Sequence, residues 1–513
     1  LMKTPILGST YVARSVNAAD ARMVNLFPEI VPEGGKEPAF LQRAPGLKLL
    51  NTIGSGPIRG LWAFSSDDGA AFVVSGTDLY KINNAYVATL IGSVSGTGPV
   101  SMADNGTQLF IACNGPSYIY NNLTGGFGAI TDPDFPGAVT VCFLDNYFVF
   151  NEPNSQRMWV TALLDGTSID PLDFASTEGS PDGLLAVAAN FREVWAFGTN
   201  SIEVWYDTGA AGFPFERIQG AFNELGLAAP YSVAKMDNGL FWLGRDRRGQ
   251  GIVYKANGYT GQRISTHAVE WQIQQYTDMS DAIGYTYQQD GHSFYVLIFP
   301  TADTTWVYDL ATQAWHERAG WVNGSFTRHR SNCQMAFNNK IVVGDYEDGK
   351  IYAFDLDDYS DNNQIQRWLR SWRALPTGTN TLKRTAQHSL QLDAQTGHYL
   401  PAPAPVASAY LITESGDFLV TEAGDLLVTD VIPVVQANPT PQFMLRWSDD
   451  GGHTWSNEHW RGGGAIGAYG TRIMWWRLGM TLKLRDRVYE LSGTDPIQIA
   501  IMGAELMMSP TNA

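Results

Sequence analysis

Apolar positions in the middle of the chain come in short unbroken bursts, each closed by a polar turn, and the bursts repeat. Between Phe72 and Phe354 one unit recurs seven times: an apolar strand, a polar or Gly-containing turn, then a second strand rich in aromatic and β-branched residues. The first strands read AFVVSG, LFIACN, YFVFNE, VWAFGT, LFWLGR, FYVLIF and KIVVGD. Their answering strands read DLYKI, YIY, MWV, IEVWY, GIVY, TWVY and KIYAF. With Phe72, Phe110, Phe148, Trp195, Phe241, Tyr295 and Ile341 as equivalent positions, successive spacings are 38, 38, 47, 46, 54 and 46 residues. Repeats of about 40–50 residues built from short strands specify β-propeller blades. A shorter segment ending in an Asp/Asn/Gly turn precedes each hairpin, as in SMADNG, KMDNG and AFNN, and supplies a third strand. The expected fold is all-β: a propeller of about seven blades, with six or eight also compatible with the spacing.

The repeat sets the expected organisation. Residues 1–58 lack it and read as an N-terminal arm, with polar–apolar segments on either side of VPEGGKEP. Residues 59–361 form the propeller, which ends in the acidic, turn-rich DLDDYSDNNQ. Residues 362–398 and 441–513 read as one C-terminal β domain, with strand candidates SLQLDAQ, QFMLRWS, RIMWWRLG, RVYELS and IQIAIMGAEL. Residues 399–440 interrupt it. There the stiff linker PAPAPVASA leads into LITESGDF, LVTEAGDL and LVTDV, a period of eight that keeps Thr413, Thr421 and Thr429 on one face of a small meander or a rung-like solenoid. Its Leu/Val strands are too few to bury themselves and are expected to dock elsewhere.

The bulk numbers narrow the function class. The 513 residues are 44% hydrophobic and 12% aromatic, which is ample material for a packed core. No run of about 20 apolar residues is present to cross a bilayer, and the opening LMKTPILGST lacks a secretory core. The three cysteines, Cys113, Cys142 and Cys333, are far apart, without CxxC spacing; they read as small core residues of a protein assembled in a reducing cytosol. The formal charge is −17, from 51 acidic and 34 basic residues, which disfavours tight binding to phosphate backbones. Such an excess serves solubility, and would also keep DNA sliding along a conduit wall.

Candidate chemistry is sparse. SDDGGHTW carries the S-x-D-x-G-x-T-W turn in Ser448, Asp450, Gly452 and Trp455, known as the Asp box, whose Asp and Ser brace a hairpin by bonding to backbone amides. It is a structural device. Asp355, Asp357, Asp358 and Asp361 lack the order of a calcium loop and read as a solvated turn. The histidines show no metal-site spacing, and neither a phosphate loop nor a nucleophile elbow is present. No catalytic, cofactor-binding or metal residue is assigned. The notable cluster is cationic and aromatic: Arg461, Arg472, Arg477, Lys483, Arg485 and Arg487 alternate with Trp447, Trp455, Trp460, Trp475 and Trp476. Arg and Trp are interface-forming types, so Arg461, Arg472, Trp475, Trp476, Arg477, Arg485 and Arg487 are the candidate contact residues for an acidic or strand-donating partner. Core Trp alternating with solvated Arg is the competing reading.

The two ends of the chain carry a family likeness. RSVNAADARMVNLFPE at Arg14–Glu29 and APGL at Ala44–Leu47 resemble the opening of the packaged-DNA stabilisation, or tail nozzle, proteins of short-tailed bacteriophages. So do LRWSDDGGHTWSNEHW, GAYGTR, WWRLG, RDRVYELS and DPIQIAIMGAEL near the close, and TWVYDLATQAW in the middle. The resemblance implies a structural, non-enzymatic virion protein. It further implies a hexameric ring around a channel, docked to adaptor or connector proteins, with tail fibres, tailspikes or a tail needle as further partners. Such a ring retains packaged DNA and conducts it at ejection, without sequence-specific binding. The alternative is a propeller glycosidase or lectin acting on host surface polysaccharide; a cellular kelch-like scaffold is weaker, because it leaves the N-terminal PE…PGL segment unexplained.

Overall fold

The computed structural model of the chain describes residues 2–15, 19–35, 37–67, 69–177, 179–180, 182–245, 249–376, 378–379, 384–396, 440–464, 471–482 and 487–511. Its body is a seven-bladed propeller. Blade 1 runs outward through strands Ile58–Ala63, Ala71–Ser75, Asp78–Ile82 and Ala88–Ser93. Blades 2 to 6 repeat this antiparallel order, beginning with the inner strands Ser101–Asp104, Val141–Leu144, Leu184–Asn190, Ala234–Met236 and Ile283–Gln289. Blade 7 begins at Ser331–Phe337 and continues through Lys340–Asp345 and Lys350–Asp355.

Period-two alternation makes the ring. On the second strand of blade 1, Phe72 and Val74 pack against Leu109 and Ile111 of blade 2. The intervening Ala71 and Val73 pack the other way, against Met335 and Val342 of blade 7. Each such strand is therefore buried on both faces and reads as a continuous apolar run. The same sharing joins blades 2 and 3, 3 and 4, 4 and 5, 5 and 6, and 6 and 7, so the circle closes with seven interfaces. The seven equivalent positions chosen from sequence fall one per blade, each on the second strand. At the inner hairpin turns, Asp145, Asn146, Asp237, Asn238, Asn338 and Asn339 adopt the left-handed backbone that those residue types tolerate.

The N-terminal segment departs from expectation. Gly46–Thr52, placed by sequence in an arm outside the repeat, is the outermost strand of blade 7, paired antiparallel with Lys350–Asp355. The physical reason is the exposed edge that blade 7 would otherwise leave. Residues further upstream build the C-terminal sandwich. One of its sheets runs Ile473–Met480, Thr385–Thr396, Ile499–Pro510, Ala39–Arg43 and Leu26–Ile30, with Met2–Thr4 also paired to Ile499–Pro510. The other continues from the outer strand of blade 6, Ala314–Glu317, through Met23–Val24 to Trp368–Arg373, Val488–Gly493, Gln442–Ser448 and His459–Gly462. Ile6, Met23, Leu26 and Leu41 share the sandwich core with Trp368, Trp372, Trp475 and Tyr489. The period-eight segment lies outside the described residues.

Candidate functional site

The cationic cluster divides by strand geometry. Trp475 and Trp476 are neighbours on Ile473–Met480 and so point to opposite faces. Trp475 is fully buried in the sandwich core and donates its indole N–H to the His459 carbonyl at 2.7 Å. Trp476 is 58% exposed. Arg487 is also buried: its Nε and Nη2 reach the two Asp449 carboxylate oxygens at 2.7 and 2.8 Å, and it donates to the Leu478 and Met480 carbonyls. Trp475 and Arg487 thus hold the sandwich together and do not face a partner. Arg485 and Lys483 lie outside the described residues. Arg461, Arg472, Trp476 and Arg477 remain at the surface, on one side of the sandwich.

That side carries the last described strand of each sheet. His459–Gly462 ends one sheet and Ile473–Met480 ends the other. Arg461 ties them, donating from Nε to the Met474 carbonyl at 3.1 Å. At Arg477 the backbone is left-handed (φ 60°), beside a register shift opposite Gln387 and Ser389. A bulge of this kind re-aims the side chains on either side of it. Trp460, already part of the sequence cluster, is exposed beside Met480 and Leu482, which carried no distinguishing signal in the sequence.

Ser448, Asp450, Gly452 and Trp455 form the turn joining Gln442–Ser448 to His459–Gly462. The Asp450 carboxylate accepts from Ser448 Oγ at 2.6 Å, from Thr454 Oγ1 at 2.6 Å, and from the amides of His453 and Thr454. These bonds, that from Ser448 foremost, hold its carboxyl well below the usual carboxylate range. The Trp455 ring lies under the Arg446 guanidinium at 4.8 Å.

Where the propeller meets the sandwich, buried cations act as clips that sequence reading passed over. Arg43 donates to the carbonyls of Tyr359, Gln366, Asp495 and Ile497, joining the propeller exit to a sandwich loop. Arg318 reaches Tyr287 and the Pro45 carbonyl. Asn25, buried with φ 53°, bonds the carbonyls of Ala319 and Arg367. An arginine closing a short strand such as AFLQR, two residues after a buried Leu41, is the available signal for such a clip. The acidic turn breaks up in space: Asp355 pairs with Lys48 at 3.0 Å, Asp358 caps Ser360, and Asp361 is buried. Among the described residues no group of three His, Cys, Asp or Glu side chains is placed to hold a metal.

The inner strands of all seven blades surround an axial cavity of about 560 Å³, lined by residues such as Trp62, Met102, Phe143, Val187, Leu240 and Tyr285. Cys142 and Cys333 also line it, and burial pushes both thiols up to about 12. Comparison with known proteins then decides the family. The model of the bacteriophage P22 Gp10 β-propeller matches residues 2–359.

The chain belongs to the P22 Gp10 family.

A second model, the P22 Gp10 β-sandwich, matches residues 418–509. The tail hub protein gp10 of Salmonella phage P22 is 23% identical over 348 residues, which covers 63% of this chain and 71% of that protein. Solved structures with a similar course include virginiamycin B lyase of Staphylococcus aureus, with TM-score 0.41 and 13% identity over 60% of this chain and 98% of that one. The Neurospora crassa Pan2 WD40 domain has TM-score 0.38 and 9% identity over 58% and 89%. As a Gp10-family member the chain is a structural protein of a phage tail and a component of the virion. No helix among the described residues is long and apolar enough to cross a membrane.

Proposed function

We propose that the chain is one subunit of a tail nozzle: a ring, of six copies by family resemblance, docked below the adaptor, that retains packaged DNA and conducts it at ejection. The observation that carries this reading is how charge is partitioned in a Gp10-family chain. Residues 59–361 hold 34 acidic and 16 basic residues, against 17 and 18 in the remainder. Residues 59–223, which build blades 1 to 4, hold 17 acidic and only 5 basic. A propeller so charged repels a phosphate backbone and suits the wall of a conduit, while the near-neutral sandwich suits contacts between proteins. The axial cavity has a mixed lining, apolar side chains with Arg59, Asp104 and Lys235 among them, and is far too small for a duplex, whose major groove alone is about 12 Å wide. The conduit therefore runs between subunits.

Negative-stain imaging of the purified chain, with and without its adaptor, tests this. Rings that stack on the adaptor are expected, and a chain that stays solitary in both preparations overturns the reading. The second reading, a propeller that takes host polysaccharide, draws on a groove of about 950 Å³ by blades 1 and 7, where Asn84, Gln288, Gln289, Asn338, Asn339 and Asp357 gather. Release of reducing ends from host polysaccharide by a solitary chain would select it instead.

A further inference from the structure

Two apolar side chains sit where the backbone resists them. Among the described residues, Tyr86, Leu164 and Phe191 are the large apolar residues in left-handed backbone, at φ 59°, 59° and 55°. A side chain is sterically disfavoured there, and a tight turn normally gives the position to Gly, Asn or Asp. Burial between blades 7 and 1 accounts for Tyr86. Leu164 and Phe191, by contrast, are 52% and 64% exposed. Phe191 opens the inner hairpin turn of blade 4, where blades 3, 5 and 7 place Asp145, Asp237 and Asn338. Within one chain, neither exposed side chain offsets its strain. A partner that covers them would.

Hydrogen bonds link the two into one row at that end of the propeller. The Leu164 amide donates to the Asn146 carbonyl at 2.9 Å and Asn105 donates to the Leu164 carbonyl at 3.1 Å, so this loop lies across the inner turns of blades 2 and 3. Arg192, beside Phe191, pairs with Asp145 of blade 3 at 3.1 Å. Tyr259 of blade 5, itself exposed, donates to Glu193 at 2.6 Å. On the other flank the Asn122 amide, beside the 81% exposed Leu123, donates to the Thr107 carbonyl of blade 2. Leu123, Leu163, Leu164, Phe191 and Tyr259 thus form an apolar row over blades 2 to 5. The turns that carry it hold Asp145, Asp165, Asp170 and Glu193, with only Arg192 to offset them.

We propose that this row receives the sandwich of a second copy, through the side bearing Trp460, Arg472, Trp476 and Arg477. That side is the chemical complement: exposed Trp among cations, against exposed Leu and Phe among carboxylates. Placement within the chain agrees. The sandwich is continuous with the outer strand of blade 6, and counted round a ring of seven, blades 2 and 3 are the furthest from blade 6. The two patches are different surfaces of one chain, so each copy uses both and the contact propagates head to tail, as a ring requires. This inference rests on the ring reading.

Sedimentation velocity of full-length variants, with thermal unfolding beside it, tests the contact. Asn and Gly suit the two turns better than the native residues do. Leu164→Asn with Phe191→Gly should therefore hold or raise the unfolding midpoint while weakening ring association at least tenfold. Arg472→Glu with Arg477→Glu should weaken association likewise, as should Asp170→Lys with Glu193→Lys. Mixed in equal amounts, these two charge-reversed proteins should recover it, because each supplies the surface the other needs. A mixture that stays dissociated overturns the pairing of the two patches. Rings that survive Leu164→Asn with Phe191→Gly undiminished overturn the inference and leave the ring reading standing, whether or not stacking on the adaptor is lost. A wild-type chain that forms no ring overturns both.

Discussion

His316, on the outer strand of blade 6, is fully buried, and among the described residues neither of its ring nitrogens has a hydrogen-bond partner. Burial, reinforced by Arg318, pushes its imidazole down to about 3. Burial likewise pushes His329 well below its ordinary value, with Nδ1 2.7 Å from Ser331 Oγ. In the unfolded chain both titrate near 6.5. Between their folded and unfolded values the unfolded state binds more protons, so stability falls as pH drops below about 6.5. Each histidine contributes up to about 1.4 kcal/mol per pH unit. His292 has the opposite sign: its bond to Asp309 at 2.8 Å raises it, so its contribution is full below about 6.5 and is lost as pH rises through the folded value. Asp361, pushed up to about 6 by burial despite Arg318 and Arg43, also favours acid, over about pH 4 to 6. His316→Gln removes one term of known sign. Urea unfolding between about pH 4 and 6.5 should show a slope shallower by up to about 1.4 kcal/mol per pH unit; an unchanged slope contradicts the assignment. Arg487 makes the second residue-scale case. Arg487→Ala strands the Asp449 carboxylate and two carbonyls, at about 3–5 kcal/mol, and Arg487→Lys should recover little, because an ammonium cannot span both carboxylate oxygens. In sequence Arg487 and Trp475 look like Arg477 and Trp476. Only the strand's phase and the bulge at Arg477 separate core from surface, and a one-residue shift reverses the assignment.

Elements were legible in proportion to their burial. The second strands, buried on both faces, announce themselves as AFVVS or YFVFN. The outermost strands, such as Ala88–Ser93 and Thr260–Arg263, are largely exposed and carry no apolar period, so sequence found three strands per blade rather than four. Gly46–Thr52 is the extreme case. It is half-exposed, and its partner lies about three hundred residues later, where no local pattern points to it. Its anchor is Leu47, fully buried between blades 6 and 7. Leu47→Ala should cost about 2–5 kcal/mol in chemical unfolding. Gly46→Ala should produce a comparable loss by another route, because a Cβ there would meet the Ser360 carbonyl oxygen at 2.2 Å. Both variants should speed amide exchange along Lys350–Asp355. Lys48→Ala is the control: its pair with Asp355 is solvent-exposed, so it should cost under about 1 kcal/mol. If the control were as damaging as Leu47→Ala, closure would rest on the ion pair and not on packing.

At the scale of the whole molecule, the net charge of −17 was readable at once, but its placement required the blade boundaries. The excess sits on the propeller, and most densely on blades 1 to 4. The arrangement makes a prediction about what the protein does not hold. Nonspecific binding to duplex DNA draws its free energy from counterions released as Lys and Arg neutralise phosphates. The first four blades offer Arg59, Lys81, Arg157, Arg192 and Arg217, and three of these are already engaged with Glu152, Asp145 and Glu203. Fluorescence anisotropy with a short duplex at about 150 mM salt should therefore give a dissociation constant weaker than about 10⁻⁴ M, without the steep salt dependence of phosphate binding. Reversing three exposed carboxylates, in Asp134→Lys with Glu216→Lys and Glu224→Lys, should strengthen binding and make it fall with added salt. If the chain lines a DNA conduit as proposed, the same change should also slow DNA release from assembled virions, because a wall that attracts phosphate adds friction. Tight, salt-sensitive binding by the unmodified chain would count against the proposed role of the acidic blades as a conduit wall.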